Sequence, residues 1–126
     1  MKRTVAGFAL LILLLAGGLL SGWNQSRYHD RVTELLEQAG RLALAEEMAA
    51  AVETALDARE IWQRGWMLAA VLTDHDPLEL VDVGFRRLEV YASVGDRLSF
   101  ATLCAELSGQ VRALGDAHGA EWWNFL

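Results

Sequence analysis

The chain opens with an uncharged apolar segment, residues 4–22, directly after Met1-Lys2-Arg3. At ~1.5 Å rise per residue this segment makes a helix of roughly 28 Å, close to the ~30 Å hydrocarbon core of a bilayer. Ten of its residues are Leu, Ile, Val or Phe, which together favour insertion by roughly 3 to 6 kcal/mol. Trp23 follows at once, and tryptophan is typical of the membrane–water boundary. We therefore predict a short cytoplasmic tail at residues 1–3 and a transmembrane anchor helix at residues 4–23.

A cleaved secretory signal peptide is the competing interpretation of this segment. Its best cleavage site is Ala16-Gly17-Gly18, but the apolar run continues through Leu19 and Leu20, and no lipobox cysteine is present. This favours an uncleaved, single-pass signal anchor. Basic residues flank the segment on both sides, so the three-residue tail decides the orientation. We expect the N-terminus inside the cell membrane and residues 24–126 in an extracytoplasmic domain.

The rest of the chain is acidic. All seventeen acidic residues but only nine of the eleven basic ones follow Trp23, which leaves this part with a net charge of about −8. Nucleic acid and anionic lipid both demand basic patches, so neither is an expected partner of this domain. The single cysteine, Cys104, can form no internal disulfide, and we interpret it as a buried apolar residue.

Apolar residues recur at helical spacing along residues 24–126, and neither alternating strand patterns nor hairpin turns are present. The expected fold is all-α: the transmembrane helix continues into a small antiparallel bundle of helical hairpins. Predicted helices span about 24–40, 42–73, 77–94 and 97–114, followed by a docked tail at 120–126. The second helix is predicted to bury a stripe of Leu42, Ala45, Ala49, Val52 and Leu56, which Trp62, Trp66 and Ala69 or Ala70 prolong toward Thr73. It starts at Arg41 or after a turn near Ala45-Glu46-Glu47, and the sequence leaves both alternatives open.

Two segments mark helix boundaries most clearly. In Asp74-His75-Asp76-Pro77-Leu78-Glu79, Asp76 can cap a new helix, Pro77 suits its first turn and Glu79 can complete a capping box. Gly95 can end the third helix, and Asp96 can cap the fourth.

Helical spacing also predicts the buried stripes of the other helices. They are Val32, Leu35, Leu36 and Ala39 on the first; Leu78, Val81, Phe85, Leu88 and Tyr91 or Ala92 on the third; and Phe100, Leu103 or Cys104, Leu107, Val111 and Leu114 on the fourth.

The most suggestive polar constellation is Asp74, His75 and Asp76, where an imidazole lies between two carboxylates. Such a group could coordinate a divalent metal, but the spacing matches no established metal motif. We favour a structural role for His75 at the helix boundary and predict no bound cofactor. His29-Asp30 is a weaker version of the same pattern.

The aromatic residues allow two interpretations. They could line a groove for an apolar ligand or a partner helix, or they could complete the core, which is the commoner role. We favour the core and keep these residues as structural or interaction candidates: Trp62, Trp66, Tyr91, Trp122, Trp123 and Phe125.

Several of these residues together carry a resemblance to a known family. They are the basic start and anchor, Trp62 followed by Asp74-His75, the pair Leu88-x-x-Tyr91, Gly95-Asp96 opening a helix, and the closing Asn124-Phe125-Leu126. The pattern resembles a family of small membrane-anchored bacterial proteins with a domain of unknown function, mainly from endospore-forming Gram-positive bacteria. The resemblance covers nearly the whole chain, although Met48 stands where the family pattern has a tryptophan opening the second helix. It implies a single-pass helical protein that faces outward, and it supplies no activity.

No phosphate-binding loop or nucleophile–base motif is recognisable in the sequence. We therefore expect no enzyme but a membrane-anchored helical module, which binds an unidentified membrane or extracytoplasmic protein or spaces it from the outer face of the membrane. The alternative is a ligand- or metal-sensing domain that uses Asp74, His75, Asp76 and the nearby tryptophans.

Overall fold

The computed structural model describes residues 2–69 and 75–124, with side chains outside the description at positions 18, 20–26, 66–77 and 117–124. The described residues form four helices and no strand, which confirms the all-α prediction. The helices are α1 (Lys2–Leu44), α2 (Met48–Ala69), α3 (His75–Val94) and α4 (Arg97–Asn124). Successive helices run up and down: α1 packs extensively on α2 and α4, and α3 packs mainly on α4.

Helix α1 has two halves with opposite surroundings. Between Val32 and Ala43 its apolar side chains are buried in the bundle, fully or almost fully except for Leu42, which is partly buried. Its apolar residues near the N-terminus, such as Val5 and Leu14, are more than two-thirds exposed. Across the described positions, no helix combines the length and the apolar character needed to cross a membrane. The predicted anchor at residues 4–23 includes positions 18 and 20–23, whose side chains lie outside the description, and the anchor stays a prediction.

The core lies between the C-terminal half of α1 and the inner faces of the other three helices. Its largest fully buried side chains are Trp62, Phe85 and Phe100. The stripes predicted for α3 and α4 are confirmed, because Leu78, Val81, Phe85 and Leu88 on α3 and Phe100, Leu103, Cys104, Leu107 and Val111 on α4 are all buried.

The predicted end of a helix at Gly40 is wrong, because α1 runs through this glycine to Leu44. Gly40 is buried where α1 crosses α4, and a Cβ there would lie 3.4 Å from the Cβ of Cys104. A methyl group at position 40 would thus make ordinary van der Waals contact with α4, and this glycine neither ends the helix nor loosens it. The turn falls instead at residues 45–47, where Glu46 N–H donates to the Ala43 carbonyl and Glu47 N–H to the Leu42 carbonyl. This pair of bonds is a Schellman motif, with Glu46 in the left-handed conformation at φ 64°.

The predicted buried stripe of the second helix is confirmed at Trp62 and wrong at Ala45, Ala49 and Leu56. Leu56 is half exposed, and Ala45 and Ala49 are exposed. The inner face of α2 consists of Ala51, Ala55, Ala58 and Trp62, all at most 6 % exposed. Small alanines allow α2 to lie close to α1. Three of the four residues of this buried face are therefore alanines, while the larger Leu56 lies outside it.

The boundaries of the last two helices differ from the prediction in smaller ways. Helix α3 begins at His75 rather than Pro77, which leaves the proline in the first turn, where its missing N–H is tolerated. Helix α4 continues unbroken through Gly115 to Asn124, whereas the prediction ended it at 114. The docked tail predicted at 120–126 falls on positions without described side chains, and residues 125–126 lie outside the described residues altogether.

Candidate functional site

A buried aromatic cluster forms where α1, α2 and α4 meet. Tyr28 and His29 come from α1, and Trp62 comes from α2. The rings of Tyr28 and Trp62 stack with centroids 5.8 Å apart and planes inclined by 17°. The His29 ring meets both edge-on, with its centroid 5.0 Å from that of Tyr28 and 6.3 Å from that of Trp62. His29 is only 6 % exposed and Trp62 only 1 %.

The tyrosine of this cluster binds the backbone of the neighbouring helix. The Tyr28 hydroxyl donates a hydrogen bond to the carbonyl oxygen of Trp62. Burial raises the pKa of Tyr28 above its ordinary value, so its phenol is neutral at physiological pH. A neutral phenol that donates to a backbone carbonyl is a structural contact between two helices rather than a nucleophile or a base.

Two glycines make room for the cluster. A Cβ at Gly65 would overlap the Tyr28 ring, and a Cβ at Gly115 would lie 3.2 Å from the Cβ of His29. Gly65 is on α2 and faces Tyr28, whereas Gly115 is on α4 and faces His29. The two neighbouring residues of α1 therefore each pack against a glycine of a different helix.

Within the described part of the chain, one polar atom of the cluster, the indole Nε1 of Trp62, is buried and has no hydrogen-bond partner. A buried donor without a partner costs about 1 to 3 kcal/mol. The ring stacking and the burial of Trp62 therefore outweigh the missing bond at this position.

A second group of polar residues lies in an open cleft between α3 and α4. Arg87 Nη2 donates to the Tyr91 hydroxyl at 3.2 Å, and the guanidinium carbon lies 5.9 Å from the Tyr91 ring centroid. The cleft has a volume of about 210 Å³ and is also lined by Ser99, Thr102 and Glu106. The hydrogen bond with Tyr91 raises the pKa of Arg87, which stays charged. The cleft is open to solvent, and the Ser99 hydroxyl in its lining donates to the Asp96 carboxylate as part of the cap of α4.

The residues predicted from the sequence are distributed unevenly over the described structure. Trp62 lies in the core, as the core interpretation predicts, and Tyr91 is half buried beside Arg87. His75 and Asp76 occupy the first turn of α3, and Trp66, Trp122 and Trp123 occupy positions in α2 and α4, but all five side chains are outside the description. Asp74 and Phe125 lie outside the described residues. A metal site at Asp74, His75 and Asp76 therefore stays a prediction.

The described residues also bear on metal and thiol chemistry. Among them, no three His, Cys, Asp or Glu side chains lie close enough together to hold a metal ion. Cys104 is fully buried, as its position on the helix stripe predicts, and burial raises the pKa of its thiol to about 12. The reactive thiolate is therefore scarce at neutral pH.

Sequence reasoning missed the role of Tyr28, and it missed that Gly65 and Gly115 make room for Tyr28 and His29. The stripe Val32, Leu35, Leu36 and Ala39 continues one turn back to Tyr28, so the spacing placed Tyr28 on the buried face. No local pattern indicates that Gly65 and Gly115 lie opposite α1, because these contacts join residues far apart in the chain.

Comparison of the chain with known protein families, with curated proteins and with solved structures finds no match.

Proposed function

We propose that this chain is a non-enzymatic, membrane-anchored helical module that presents its bundle for contact with a partner protein at the outer face of a bacterial cell membrane. The observation that carries the proposal is the contrast between the two halves of α1. Apolar residues of the first half are exposed by 56 to 70 %, and nothing in the described bundle covers them. A contiguous exposed apolar surface of this kind marks a membrane or protein interaction site.

The sequence supports the membrane rather than a protein as the cover for this half of α1. Residues 4–22 carry no charge on any side of the helix, whereas a helix that docks on a protein keeps a polar face. Because α1 is one continuous helix from Lys2 to Leu44, it would act as both anchor and central strut. The bundle would then stand directly on the membrane.

Two features favour protein contact over a small ligand. Three cavities lined by described residues have volumes of about 20, 210 and 260 Å³, each less than the roughly 300 to 1,000 Å³ of typical ligand pockets. In addition, α3 has a second apolar face, here called the outer α3 face, formed by Leu80, Val83, Val90 and Val94. These four side chains are 44 to 70 % exposed.

The outer α3 face is opposite the side of α3 that packs into the core. At ~100° per residue, its four members lie within an arc of about 80°, roughly half a turn from Leu78, Val81 and Phe85. The exposed Arg87 falls within the same arc, so this face is apolar with one cation in it. Such a helix can pack against its own bundle and against a partner at the same time. The net charge of about −8 in this part of the chain suits a partner with a basic surface around an apolar groove.

Extraction and protease accessibility test the location of the chain. Full-length protein should stay with membranes in alkaline carbonate, and in intact spheroplasts an external protease should remove epitopes on the bundle. Recovery in the soluble fraction would contradict the anchor. Protection of the bundle until the cells are lysed would contradict the outward orientation.

Substitution of the outer α3 face tests the interaction. Val83→Lys with Val90→Lys should abolish crosslinking to a partner in native membranes without changing the helical circular dichroism signal. Asp57→Lys on α2 is a matched exposed control that leaves the outer α3 face intact. If the double variant retains every crosslinked species of the wild type, this face is not the interaction surface.

A further inference from the structure

The outer α3 face has the spacing of a coiled-coil seam. Its four apolar residues and Arg87 occupy positions 80, 83, 87, 90 and 94, which are separated by alternating steps of three and four residues. This is the heptad repeat in which positions a and d face a second helix, and it puts Arg87 at the central a position. All five side chains are exposed, so within the described structure no helix occupies this seam.

Two open hollows lie beside the seam, where α3 meets α4. One has a volume of about 260 Å³ and is lined by Leu80 together with Ala113 and Leu114. The other is the cleft of about 210 Å³ beside Arg87 and Tyr91. Because Leu80 and Arg87 are seven residues apart, the hollows repeat after one heptad, which is roughly 10 Å of helix. A partner helix inserts its own seam residues into hollows at this spacing.

Arg87 lacks a carboxylate partner within the described structure. Six other described arginines have a carboxylate within 4 Å, namely Arg31, Arg59, Arg64, Arg86, Arg97 and Arg112. The Arg87 guanidinium belongs to none of these pairs and donates to the neutral Tyr91 hydroxyl at 3.2 Å. The exposed Glu106, on the α4 wall of the cleft, adds a weaker attraction than this hydrogen bond. Arg87 therefore retains the capacity to bind a carboxylate from outside the chain.

A second copy of this chain is a poor fit for the seam. If both copies are anchored in one membrane as proposed above, the two-fold axis that relates them runs along the membrane normal, and their α3 helices pair in parallel. A parallel pair sets equivalent a positions face to face, so the two Arg87 side chains would meet. Like charges in an apolar seam repel, and burying them adds a desolvation cost.

We propose that the seam of the outer α3 face binds a helix of a different protein, and that this helix carries an aspartate or glutamate within its apolar stripe, opposite Arg87. The inference rests on the proposed function and names the chemistry of its partner. The carboxylate pairs with the guanidinium, whose fork of N–H donors matches two carboxylate oxygens. Apolar residues on either side of the carboxylate pack on Val83 and Val90. The basic surface inferred above then forms the rim of the contact, and the acidic residue lies at its centre.

Photocrosslinking of the full chain in native membranes tests the acidic partner. A photoreactive amino acid replaces Ser93, an exposed residue that flanks the seam. With Arg87 intact, the expected product is a crosslinked species whose mass differs from twice that of the chain. Arg87→Glu should lower its yield by about tenfold or more, because two carboxylates would then meet. Arg87→Lys keeps the charge and should keep most of the yield.

Arg87→Leu is the sharpest variant, because the direction of its effect depends on what faces position 87. Opposite a carboxylate, leucine leaves that carboxylate without its partner, and the yield should fall by about tenfold. Opposite an apolar residue, leucine would raise the yield, and this result overturns the proposal. A raised yield of a species at twice the mass of the chain would identify a second copy as the occupant and overturn it as well.

Arg41→Leu on α1 is the matched control, because it removes an exposed arginine with the same change in net charge. This control should leave the yield unchanged, and circular dichroism should show the same helical signal for every variant.

The same assay separates this inference from the interaction surface on which it rests. If Val83→Lys with Val90→Lys abolishes the crosslink while Arg87→Leu and Arg87→Glu leave it unchanged, the surface stands and the acidic partner is excluded. If the double variant retains every crosslinked species, or the unsubstituted seam gives none, both proposals fail.

Discussion

At the scale of single residues, the packing of this bundle depends on glycines at particular helix positions. Gly65 is level with the Tyr28 ring and Gly115 with His29, while Gly109 has nothing within 4 Å of the place where its Cβ would be. All three are inside helices, where glycine is usually unfavourable by about 1 kcal/mol relative to alanine. Close contact with the aromatic cluster explains the glycines at 65 and 115.

Gly65→Ala should therefore destabilise the bundle by about 1 to 3 kcal/mol, because the new methyl group overlaps the Tyr28 ring. Gly109→Ala is the matched control and should stabilise by up to about 1 kcal/mol, since its surroundings are open. Thermal unfolding followed by circular dichroism measures both. In a Tyr28→Ala background the cost of Gly65→Ala should vanish, and additive effects of the two substitutions would contradict the contact.

Asp96 should make the stability of the bundle depend on pH. Its Oδ2 accepts from the Ser99 hydroxyl at 2.6 Å and its Oδ1 from the Ser99 N–H at 3.2 Å, as expected for a helix cap, and these bonds lower the pKa of Asp96. A carboxylate whose pKa is lowered by folding stabilises fully above its unfolded value, ~3.9, and loses this contribution as the pH falls through its folded value.

Asp96→Asn should thus reduce the fall of the melting temperature between about pH 5 and pH 2, because a neutral amide caps a helix without titrating. The test compares the melting temperatures of wild type and variant across this range. Parallel curves would show that the Asp96 carboxylate does not contribute to the acid sensitivity.

At the scale of the helices, two turns of similar geometry are built from different residues. Both α1 and α3 end in a Schellman motif, and the left-handed position is Glu46 in one and Gly95 in the other, at φ 64° and 71°. A residue with a Cβ costs about 1 to 2 kcal/mol in this conformation, whereas glycine adopts it freely. The sequence therefore indicates the turn at Gly95 directly, whereas it offers the turn near Glu46 only as one of two alternatives, beside a helix end at Gly40.

Glu46→Gly should stabilise the bundle by about 0.5 to 1 kcal/mol, since it relieves the left-handed conformation. The substitution also removes an exposed ion pair of Glu46 with Arg97, which is worth little. Glu46→Ala removes the same ion pair but keeps the strain, so it should leave stability unchanged or slightly lower. Urea unfolding of both variants separates these effects, and equal stabilities for Gly and Ala would exclude strain at this position.

At the scale of the whole molecule, the two halves of α1 should respond to mutation independently. Leu13 is 70 % exposed, and the glycines around it, Gly7 and Gly17, have no neighbour within 4 Å of their Cβ positions. The bundle therefore takes no packing energy from this half of the helix.

Leu13→Arg should reduce the membrane-bound fraction, because an arginine at mid-span costs about 2.5 to 3.5 kcal/mol of insertion. The thermal unfolding of the bundle in detergent should not change. Sedimentation after carbonate treatment measures the membrane-bound fraction, and circular dichroism measures the thermal unfolding of the bundle. A large loss of thermal stability would instead show that the apolar half of α1 packs against the bundle.

The helical class, the buried stripes of α3 and α4 and the cap at Asp96 follow from the amino-acid sequence alone, because each of these depends on residues within a few positions of one another. The same local spacing places Tyr28 on the stripe of α1.

The fold, in contrast, is needed to show that Gly65 and Gly115 serve helix packing and that the alanines of α2 face the core. The physical reason is that a glycine or alanine has the same local pattern whether it loosens a helix or admits a neighbour. What distinguishes the two roles is a large side chain that the fold brings from another helix, often more than thirty residues away in the chain.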